Sequence, residues 1–216
     1  MGVNLDTLQS SGNTGCMMMD RTVQAWRKQK RAELIAARQA MPADERRHAG
    51  DAIRAKLERI ALPRVGAAIG LYWPIRHEVN LLPWAGALAR SDRITLCLPV
   101  VVTPRAPLEY RRWVPGEPLQ RGVWDIPIPG QGAVLSPDLV LAPLVGFDRA
   151  GYRLGYGGGY FDRTLAAAPR RPTVIGVGYA GSALETIFPQ EHDIPMDAIL
   201  TEGPDILPAM WGAHAA

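Results

Sequence analysis

The hydrophobic pattern at the start of the chain is typical of two amphipathic helices. Over residues 22–39, apolar side chains are spread among charged ones in a helical pattern, which predicts a first helix. A second helix is predicted after Pro42, because proline is tolerated in the first helical turn and acidic residues follow it. One face of that helix carries Ile53, Leu57 and Ile60.

Shorter apolar runs predict the strands of a sheet. We expect strands over residues 65–72, 94–98, 108–113, 138–142, 173–179 and 198–200. Pro99 is expected to end the second of these strands, and helices are expected over residues 81–90 and 160–167. A segment rich in proline and glycine, 115–137, is expected to be a loop. The alternation of strands and helices implies parallel crossover connections.

The order of these elements predicts a single domain of the α/β class. We expect a three-layer α/β/α architecture with a mostly parallel central sheet. A glycine-rich phosphate-binding loop would lie beyond a strand end, where such folds bind ligands. The domain would cover residues 21–203, between a disordered N-terminal extension at 1–20 and a C-terminal tail at 204–216. Three consecutive methionines at 17–19 leave the first translated residue open.

Composition narrows the function classes. The 216 residues are 47% hydrophobic and 21% charged, as in globular proteins, and the net charge is only +3. That charge suits small anions, and no basic run with interleaved aromatics indicates nucleic-acid binding. No apolar run approaches the length of a membrane span. Cys16 and Cys97 are the only cysteines, which favours a reducing cytoplasm and excludes a disulfide framework. We expect a monomer or a weak homodimer with small-molecule partners.

A glycine loop carries the clearest chemical signal. Four glycines fall within five positions at 155–159, and Arg153, Asp162 and Arg163 border them. Glycine lets backbone N–H groups approach a polyphosphate, and the aspartate could hold the Mg²⁺ that accompanies ATP. The alternative is a mobile glycine turn between a strand and a helix. The following helical segment favours the phosphate site, since its N-terminal amides would point at the loop.

Basic residues on the first helix offer a second anion-binding feature. Arg27 and Arg31 are four residues apart and share one helix face, with Arg38 two turns further along and Lys28 and Lys30 nearby. These side chains could clamp a phosphate. The alternative is a solvated basic face, which is what most charge runs are.

Two further segments have candidate ligand-binding side chains. Trp73 and Glu78 follow a predicted strand, where an aromatic ring could stack on a flat heterocycle while the carboxylate accepts its amino groups. The alternative is that the aromatics there complete the core. Asp193, beside a proline turn, could join Asp162 in holding a metal, or it could be a turn or capping aspartate.

Together these segments resemble the 5-formyltetrahydrofolate cyclo-ligase family, also called methenyltetrahydrofolate synthetase. The resemblance covers residues 27–202 and is strongest at 138–163, which is similar to the family signature almost throughout. The weaker elements follow in the same order: the basic helix, Tyr-x-Pro-x-x-x-Glu-Val at 72–79, Trp-Asp-Ile-Pro from Trp124, and His-Asp at 192–193.

The resemblance implies a role for each of these residues. The implied ATP-binding residues are Arg27, Lys28, Lys30, Arg31, Arg153, Leu154, Gly155, Tyr156, Gly157, Gly158, Gly159, Tyr160 and Phe161. The implied folate-binding residues are Trp73, Glu78, Trp124, Tyr156, Gly157, Gly158, Gly159 and Tyr160. Asp162 and Asp193 would bind Mg²⁺, and Arg153 and Tyr160 would be catalytic.

The resemblance also implies a reaction, in which ATP and Mg²⁺ drive the conversion of 5-formyltetrahydrofolate to 5,10-methenyltetrahydrofolate through a phosphorylated formyl group. The chain departs from the family pattern at the start of the first helix, where Arg27 and Lys30 replace the usual lysine and leucine, and at Ile128 and Phe161, where glutamate and tyrosine are common. The alternatives are a non-catalytic nucleotide- or folate-binding protein, and a related ATP-dependent ligase with another substrate.

Overall fold

The computed structural model describes residues 9–60, 66–90 and 93–206, with side chains described from residue 21. The helices are α1 (Gln9–Ala40), α2 (Ala43–Arg59), α3 (Leu82–Ala89) and α4 (Tyr160–Ala167). The strands are β1 (Ala67–Gly70), β2 (Ile94–Val100), β3 (Glu109–Arg112), β4 (Leu119–Arg121), β5 (Pro127–Pro129), β6 (Val134–Leu135), β7 (Leu139–Pro143), β8 (Gly146–Asp148), β9 (Arg153–Leu154), β10 (Thr173–Val177), β11 (Ala183–Leu184) and β12 (Ala198–Leu200).

Seven strands form a mostly parallel central sheet, as the sequence predicts. The strand order is β12-β10-β7-β1-β2-β3-β6. The first five of these strands pair in parallel, and β3 and β6 complete the sheet in antiparallel pairing. A three-stranded sheet, β11-β8-β9, and the β4-β5 pair lie outside it.

The side chains of the central strands alternate between two apolar clusters on opposite faces of the sheet. On one face, Leu139 and Leu141 of β7 belong to a cluster with Ile53 and Leu57 of α2 and with α3. On the other face, Val140 of β7 belongs to a cluster with residues of β8 and α4. Helices on both faces of the sheet confirm the three-layer architecture.

Three elements differ from the predictions. β2 continues through Pro99 to Val100, because its pairing with β1 ends at Cys97 and Pro99 faces only β3. The predicted loop at 115–137 contains the short strands β4, β5 and β6, which are too brief to give a clear apolar pattern. The backbone of residues 9–20, assigned to a disordered extension, continues α1, since elongating a helix costs less than nucleating one.

Some predictions concern residues outside the described ranges. These are the first eight residues of the proposed extension and the tail from residue 207, and the domain boundaries stay a prediction. Across the part of the chain that the structure describes, no helix is both long and apolar enough to cross a membrane.

Candidate active site

The carboxyl ends of the parallel strands bring the predicted site residues to one edge of the sheet. The segment carrying Trp73 and Glu78 follows β1, and the glycine loop follows β7 through the short strands β8 and β9. Helix α1 passes over this edge, where Arg31 Nε donates a hydrogen bond of 2.7 Å to the carbonyl of Gly155. This edge is where α/β folds of this kind bind ligands.

Arg27 and Asp193 form a buried, bidentate ion pair. The two guanidinium–carboxylate hydrogen bonds are 2.8 and 3.1 Å long, and the side chains are 6% and 7% exposed. The Gln190 amide donates a further hydrogen bond to Asp193 Oδ2 at 2.7 Å. Burial acts to raise the pKa of Asp193, but hydrogen bonds from Arg27 and Gln190 outweigh it and leave that pKa below its ordinary value. The carboxylate is therefore held ionised.

Arg31 lies under the glycine loop in a site with excess positive charge. A Cβ atom added to Gly157 would lie 3.4 Å from the Arg31 guanidinium carbon. Burial first, and then the charge of Arg27, lower the pKa of Arg31, whereas Asp193 acts in the opposite direction. An anion placed between the helix and the loop would relieve this repulsion.

Lys28 and Lys30 are not brought to this cluster. Lys28 is exposed on α1, and Lys30 Nζ lies 2.5 Å from Glu33 Oε2 on the same helix. The structure thus separates the two lysines from the two arginines, and contacts of the lysines with ATP stay a prediction.

The glycine loop has the conformation that its composition predicts. Gly157 and Gly159 have φ angles of +92° and +63°, in the left-handed region that favours glycine. Gly159 is the N-cap of α4 and provides no side-chain cap, so the first N–H groups of that helix remain available. The loop glycines Gly157 and Gly158 are exposed, which leaves their backbone open to a ligand.

Arg153 connects the start of this loop to α4. Its Nη2 donates a hydrogen bond of 2.8 Å to Asp162 Oδ2, and its guanidinium carbon stands 5.0 Å from the centre of the Phe161 ring. Asp162 Oδ1 also accepts the Ile194 amide at 3.4 Å, so Asp162 lies against the segment that carries Asp193. The two predicted metal ligands are thus on neighbouring segments, each paired with an arginine.

No metal cluster of the usual size is found in the described ranges. Among those residues, no group of three or more His, Cys, Asp or Glu side chains could hold a metal ion. The assignment of Asp162 and Asp193 to Mg²⁺ therefore depends on oxygen atoms from a substrate, and it stays a prediction.

Aromatic side chains border the loop on its far side. Tyr160 and Trp124 meet edge to face with ring centres 5.6 Å apart, and Trp124 is 66% exposed. The Arg163 guanidinium lies over the Tyr160 ring and donates a hydrogen bond to the carbonyl of Gly158. The structure therefore brings together two residues that are distant in the sequence and that the family resemblance assigns to one substrate.

Glu78 is a buried carboxylate, and one of its two oxygen atoms lacks a hydrogen-bond partner. Its Oε2 accepts the Ile75 amide at 3.0 Å, whereas its Oε1 is buried without a partner. Burial raises the pKa of Glu78, and this effect is opposed by the Ile75 amide, the guanidinium groups of Arg38 and Arg76 and the nearby Tyr156 hydroxyl. Trp73, in the same segment, packs edge to face against Trp113 with ring centres 6.4 Å apart.

Unpartnered polar atoms concentrate at this site. Within the described residues, six buried side-chain nitrogen or oxygen atoms lack a hydrogen-bond partner, and four of them belong to site residues: Arg27 Nε, Arg153 Nε, Arg163 Nε and Glu78 Oε1. Buried polar groups are normally paired, so such a concentration indicates a ligand site. The three arginine donors suit anionic groups of a ligand, and the carboxylate oxygen suits ligand N–H groups.

Two arginines contact Tyr156, and the sequence pattern indicates only one of them, Arg38, as part of the basic face of the first helix. The Arg38 and Arg76 guanidinium carbons lie 5.8 and 5.6 Å from the centre of the Tyr156 ring. The helical spacing places Arg38 on the face of Arg27 and Arg31, but it does not reveal the contact of Arg38 with Tyr156. No comparable pattern indicates Arg76.

Comparison with known proteins shows which family this chain resembles. Residues 23–202 match the 5-formyltetrahydrofolate cyclo-ligase family. Proteins named 5-formyltetrahydrofolate cyclo-ligase from Mycolicibacterium smegmatis and Haemophilus influenzae are 29% and 28% identical over 181 residues. These alignments cover 80% and 81% of this chain and 92% and 96% of the relatives. The solved structure of Aquifex aeolicus 5,10-methenyltetrahydrofolate synthetase superposes with a TM-score of 0.71 at 28% identity, covering 83% of this chain and 91% of that one. The chain therefore belongs to the 5-formyltetrahydrofolate cyclo-ligase family.

Proposed function

We propose that this protein uses ATP to convert 5-formyltetrahydrofolate to 5,10-methenyltetrahydrofolate, releasing ADP and phosphate. Family membership supports the reaction class. The observation that carries the proposal is the set of unpartnered buried atoms: three arginine N–H groups near the glycine loop and one carboxylate oxygen on Glu78. The first group suits the phosphates of ATP and the second suits the amino groups of a pterin ring.

The chemistry requires little from the protein beyond positioning and charge neutralisation. A formamide is a poor electrophile, but transfer of the γ-phosphoryl group to its oxygen gives an iminium phosphate and ADP. The neighbouring folate nitrogen then attacks the formyl carbon and loses its proton to solvent. The carbon–oxygen bond breaks, and the oxygen leaves in inorganic phosphate. No covalent enzyme intermediate is needed, and oriented cations lower the barrier as in other phosphoryl transfers.

The ATP subsite would lie between α1 and the glycine loop. Arg27, Arg31, Arg153 and Arg163 supply positive charge there, and the uncapped N-terminus of α4 adds backbone N–H groups. Arg153 and Tyr160 would touch the reacting groups, because they lie at the two ends of the loop. Burial, and then the charge of Arg27, lower the pKa of Arg31, and a bound phosphate would offset both effects.

Mg²⁺ would bind with ATP and not as a free ion in a protein cage. Magnesium in proteins is commonly held by one or two carboxylates plus substrate phosphates, and Asp162 and Asp193 supply that number. Each carboxylate now pairs with an arginine, and the phosphates would compete for those arginines and free the carboxylates for the metal. When bound, Mg²⁺ would neutralise charge on the transferring phosphoryl group.

The folate would lie across the mouth of the loop from Trp124 to Glu78. Glu78 Oε1 would accept N–H groups of the pterin ring, while Trp73, Tyr156, Tyr160 and Trp124 would border the ring system. In this arrangement the formyl group would face the loop proposed to hold the γ-phosphate.

The test is a turnover assay with purified protein, 5-formyltetrahydrofolate, ATP and Mg²⁺. We expect one ADP for each methenyl group formed, measured by its absorbance, and no product when ATP is omitted. A folded protein that binds both ligands but forms neither product would favour a non-catalytic binding protein, and ADP formation with another formamide only would favour a related ligase. A cytoplasmic location and a monomeric or weakly dimeric state stay predictions from the sequence.

A further inference from the structure

Arg38 joins three separate segments of the active-site edge. It lies on α1 with only 6% of its surface exposed. Its Nε donates to the carbonyl of Arg76 at 3.0 Å, its Nη1 donates to the carbonyl of Leu144 at 3.3 Å, and its Nη2 donates to the hydroxyl of Tyr156. One guanidinium group thus contacts the turn after β1, the end of β7 and the glycine loop.

The turn that Arg38 holds is strained. Arg76 and His77 have φ angles of +46° and +61°, a left-handed conformation that residues with a Cβ atom rarely adopt. Such conformations persist only when surrounding contacts hold them. Here Arg38 binds the Arg76 carbonyl, and the Tyr179 hydroxyl donates to the His77 carbonyl at 3.0 Å. The next residue is Glu78, so these contacts set the position of its carboxylate.

The glycine loop is held by the same side chain. The guanidinium carbons of Arg38 and Arg76 both lie close to the Tyr156 ring, 5.8 and 5.6 Å from its centre. Tyr156 is 39% exposed, so its position depends on these contacts more than on core packing. Arg38 and Arg76 therefore fix the first aromatic residue of the loop against the turn that carries Glu78.

From this geometry we propose that Arg38 is a positioning residue that couples the ATP and folate subsites. It holds Tyr156 and the turn bearing Glu78 in one fixed relation, so that the formyl oxygen meets the γ-phosphate. The inference rests on the proposed function. The role requires arginine, because its planar fork reaches three acceptors in three directions, whereas a lysine ammonium is a compact charge that cannot span them.

The first test is Arg38→Lys, compared with Arg54→Lys, a change in a half-buried arginine of α2 that pairs with Asp51 and Glu58. We expect Arg38→Lys to fold and to lose kcat by on the order of 10²-fold, because small misplacements of reacting groups carry penalties of that size. The control should keep its kcat. Full kcat in Arg38→Lys would overturn the proposal.

The second test measures coupling by binding alone. The affinity for a non-hydrolysable ATP analogue is determined by calorimetry with and without 5-formyltetrahydrofolate. In the wild type we expect the folate to change this affinity by about tenfold, and in Arg38→Lys we expect the ratio to fall toward one. A purely structural arginine would lower the melting temperature and leave the ratio unchanged, which would contradict the proposal.

The pH dependence gives a third readout. The titratable and charged groups that face Glu78 from the surrounding elements are Arg38, Tyr72, Arg76, Tyr156 and Tyr179. Arg38 lowers the pKa of Glu78, so Arg38→Gln should shift the acid limb of kcat/KM for folate to higher pH. If the acid limb of the Arg38→Gln profile stays at the wild-type pH, the proposed influence of Arg38 on Glu78 is contradicted.

Different results would refute the role of Arg38 and the proposed function. A wild-type protein that neither turns over nor binds the two ligands would refute both. A wild-type protein with normal turnover and coupling that Arg38→Lys leaves unchanged would refute the role of Arg38 alone.

Discussion

Replacing Glu78 by glutamine tests the folate subsite and the cost of its buried charge together. Glutamine has nearly the same shape but cannot carry the negative charge. In the wild type, Glu78 Oε1 is buried without a partner, and burial raises the pKa of the carboxyl. The fold therefore holds a carboxylate at a cost in stability, and a ligand N–H group would offset that cost.

The substitution should weaken folate binding without lowering the stability of the ligand-free protein. Folate binding should weaken by about 1–3 kcal/mol, or roughly 5- to 150-fold in Kd, because a charged acceptor is lost from a buried site. ATP binding should hardly change. The ligand-free variant should be at least as stable as the wild type at pH 7, because it no longer buries an ionised group.

The stability difference between Glu78→Gln and the wild type should depend on pH. The folded-state pKa of Glu78 lies above its ordinary value of 4.5, so folding disfavours the ionised form. This carboxyl therefore lowers the stability of the wild type progressively as pH rises from about 4.5 through the raised pKa. Relative to the wild type, Glu78→Gln should gain melting temperature over that interval and show no such gain below it.

The assays are calorimetric titration with each ligand and thermal unfolding between pH 4 and pH 7. Glu58→Gln is the matched control, because Glu58 is exposed and pairs with Arg54 on the same helix. Equal weakening of folate and ATP binding would refute the division of the site into two subsites. A variant less stable than the wild type at pH 7 would refute the account of the buried charge.

Three other variants test the ATP side. Asp193→Asn leaves Arg27 buried without its carboxylate, so the free energy of unfolding in urea should fall by about 3–5 kcal/mol. An unchanged urea midpoint would show that this ion pair does not stabilise the fold. Asp162→Asn should need more Mg²⁺ for half-maximal turnover, and a wild-type Mg²⁺ titration would remove it from the metal site. Gly157 has a φ angle of +92°, so Gly157→Ala should strain the backbone, lower folding stability by about 1–3 kcal/mol and weaken ATP binding. Unaltered ATP affinity would contradict a phosphate-binding loop.

The sequence predicts the elements with strong local patterns well. Helix α4 occupies residues 160–167 as predicted, because the glycine run stops abruptly and a helix-forming segment follows. The buried central strands β7 and β10 lie where continuous apolar runs predict them. Strands of two or three residues, such as β9 and β11, have no periodicity to detect, and long-range pairing alone defines them.

The site could be predicted as a set of residues but not as a set of contacts. The motifs indicate Arg27 and Asp193 separately, but no local pattern reveals the ion pair that joins these two positions across 166 residues. Arg38 has the right helical spacing, but its role depends on Tyr156 and on a strained turn that only the folded chain brings near it. The sequence does not distinguish Lys28 and Lys30 from the neighbouring arginines, whereas in the structure Lys28 is exposed and Lys30 pairs with Glu33.

The central claim is that ATP activates the formyl oxygen, and isotope transfer tests it most directly. The wild-type protein is given ATP, Mg²⁺ and 5-formyltetrahydrofolate labelled with ¹⁸O in the formyl group, and the released phosphate is analysed by mass spectrometry. If the formyl oxygen takes the γ-phosphoryl group and leaves with it, each inorganic phosphate should carry one ¹⁸O atom. Formation of methenyltetrahydrofolate with unlabelled phosphate would contradict the account.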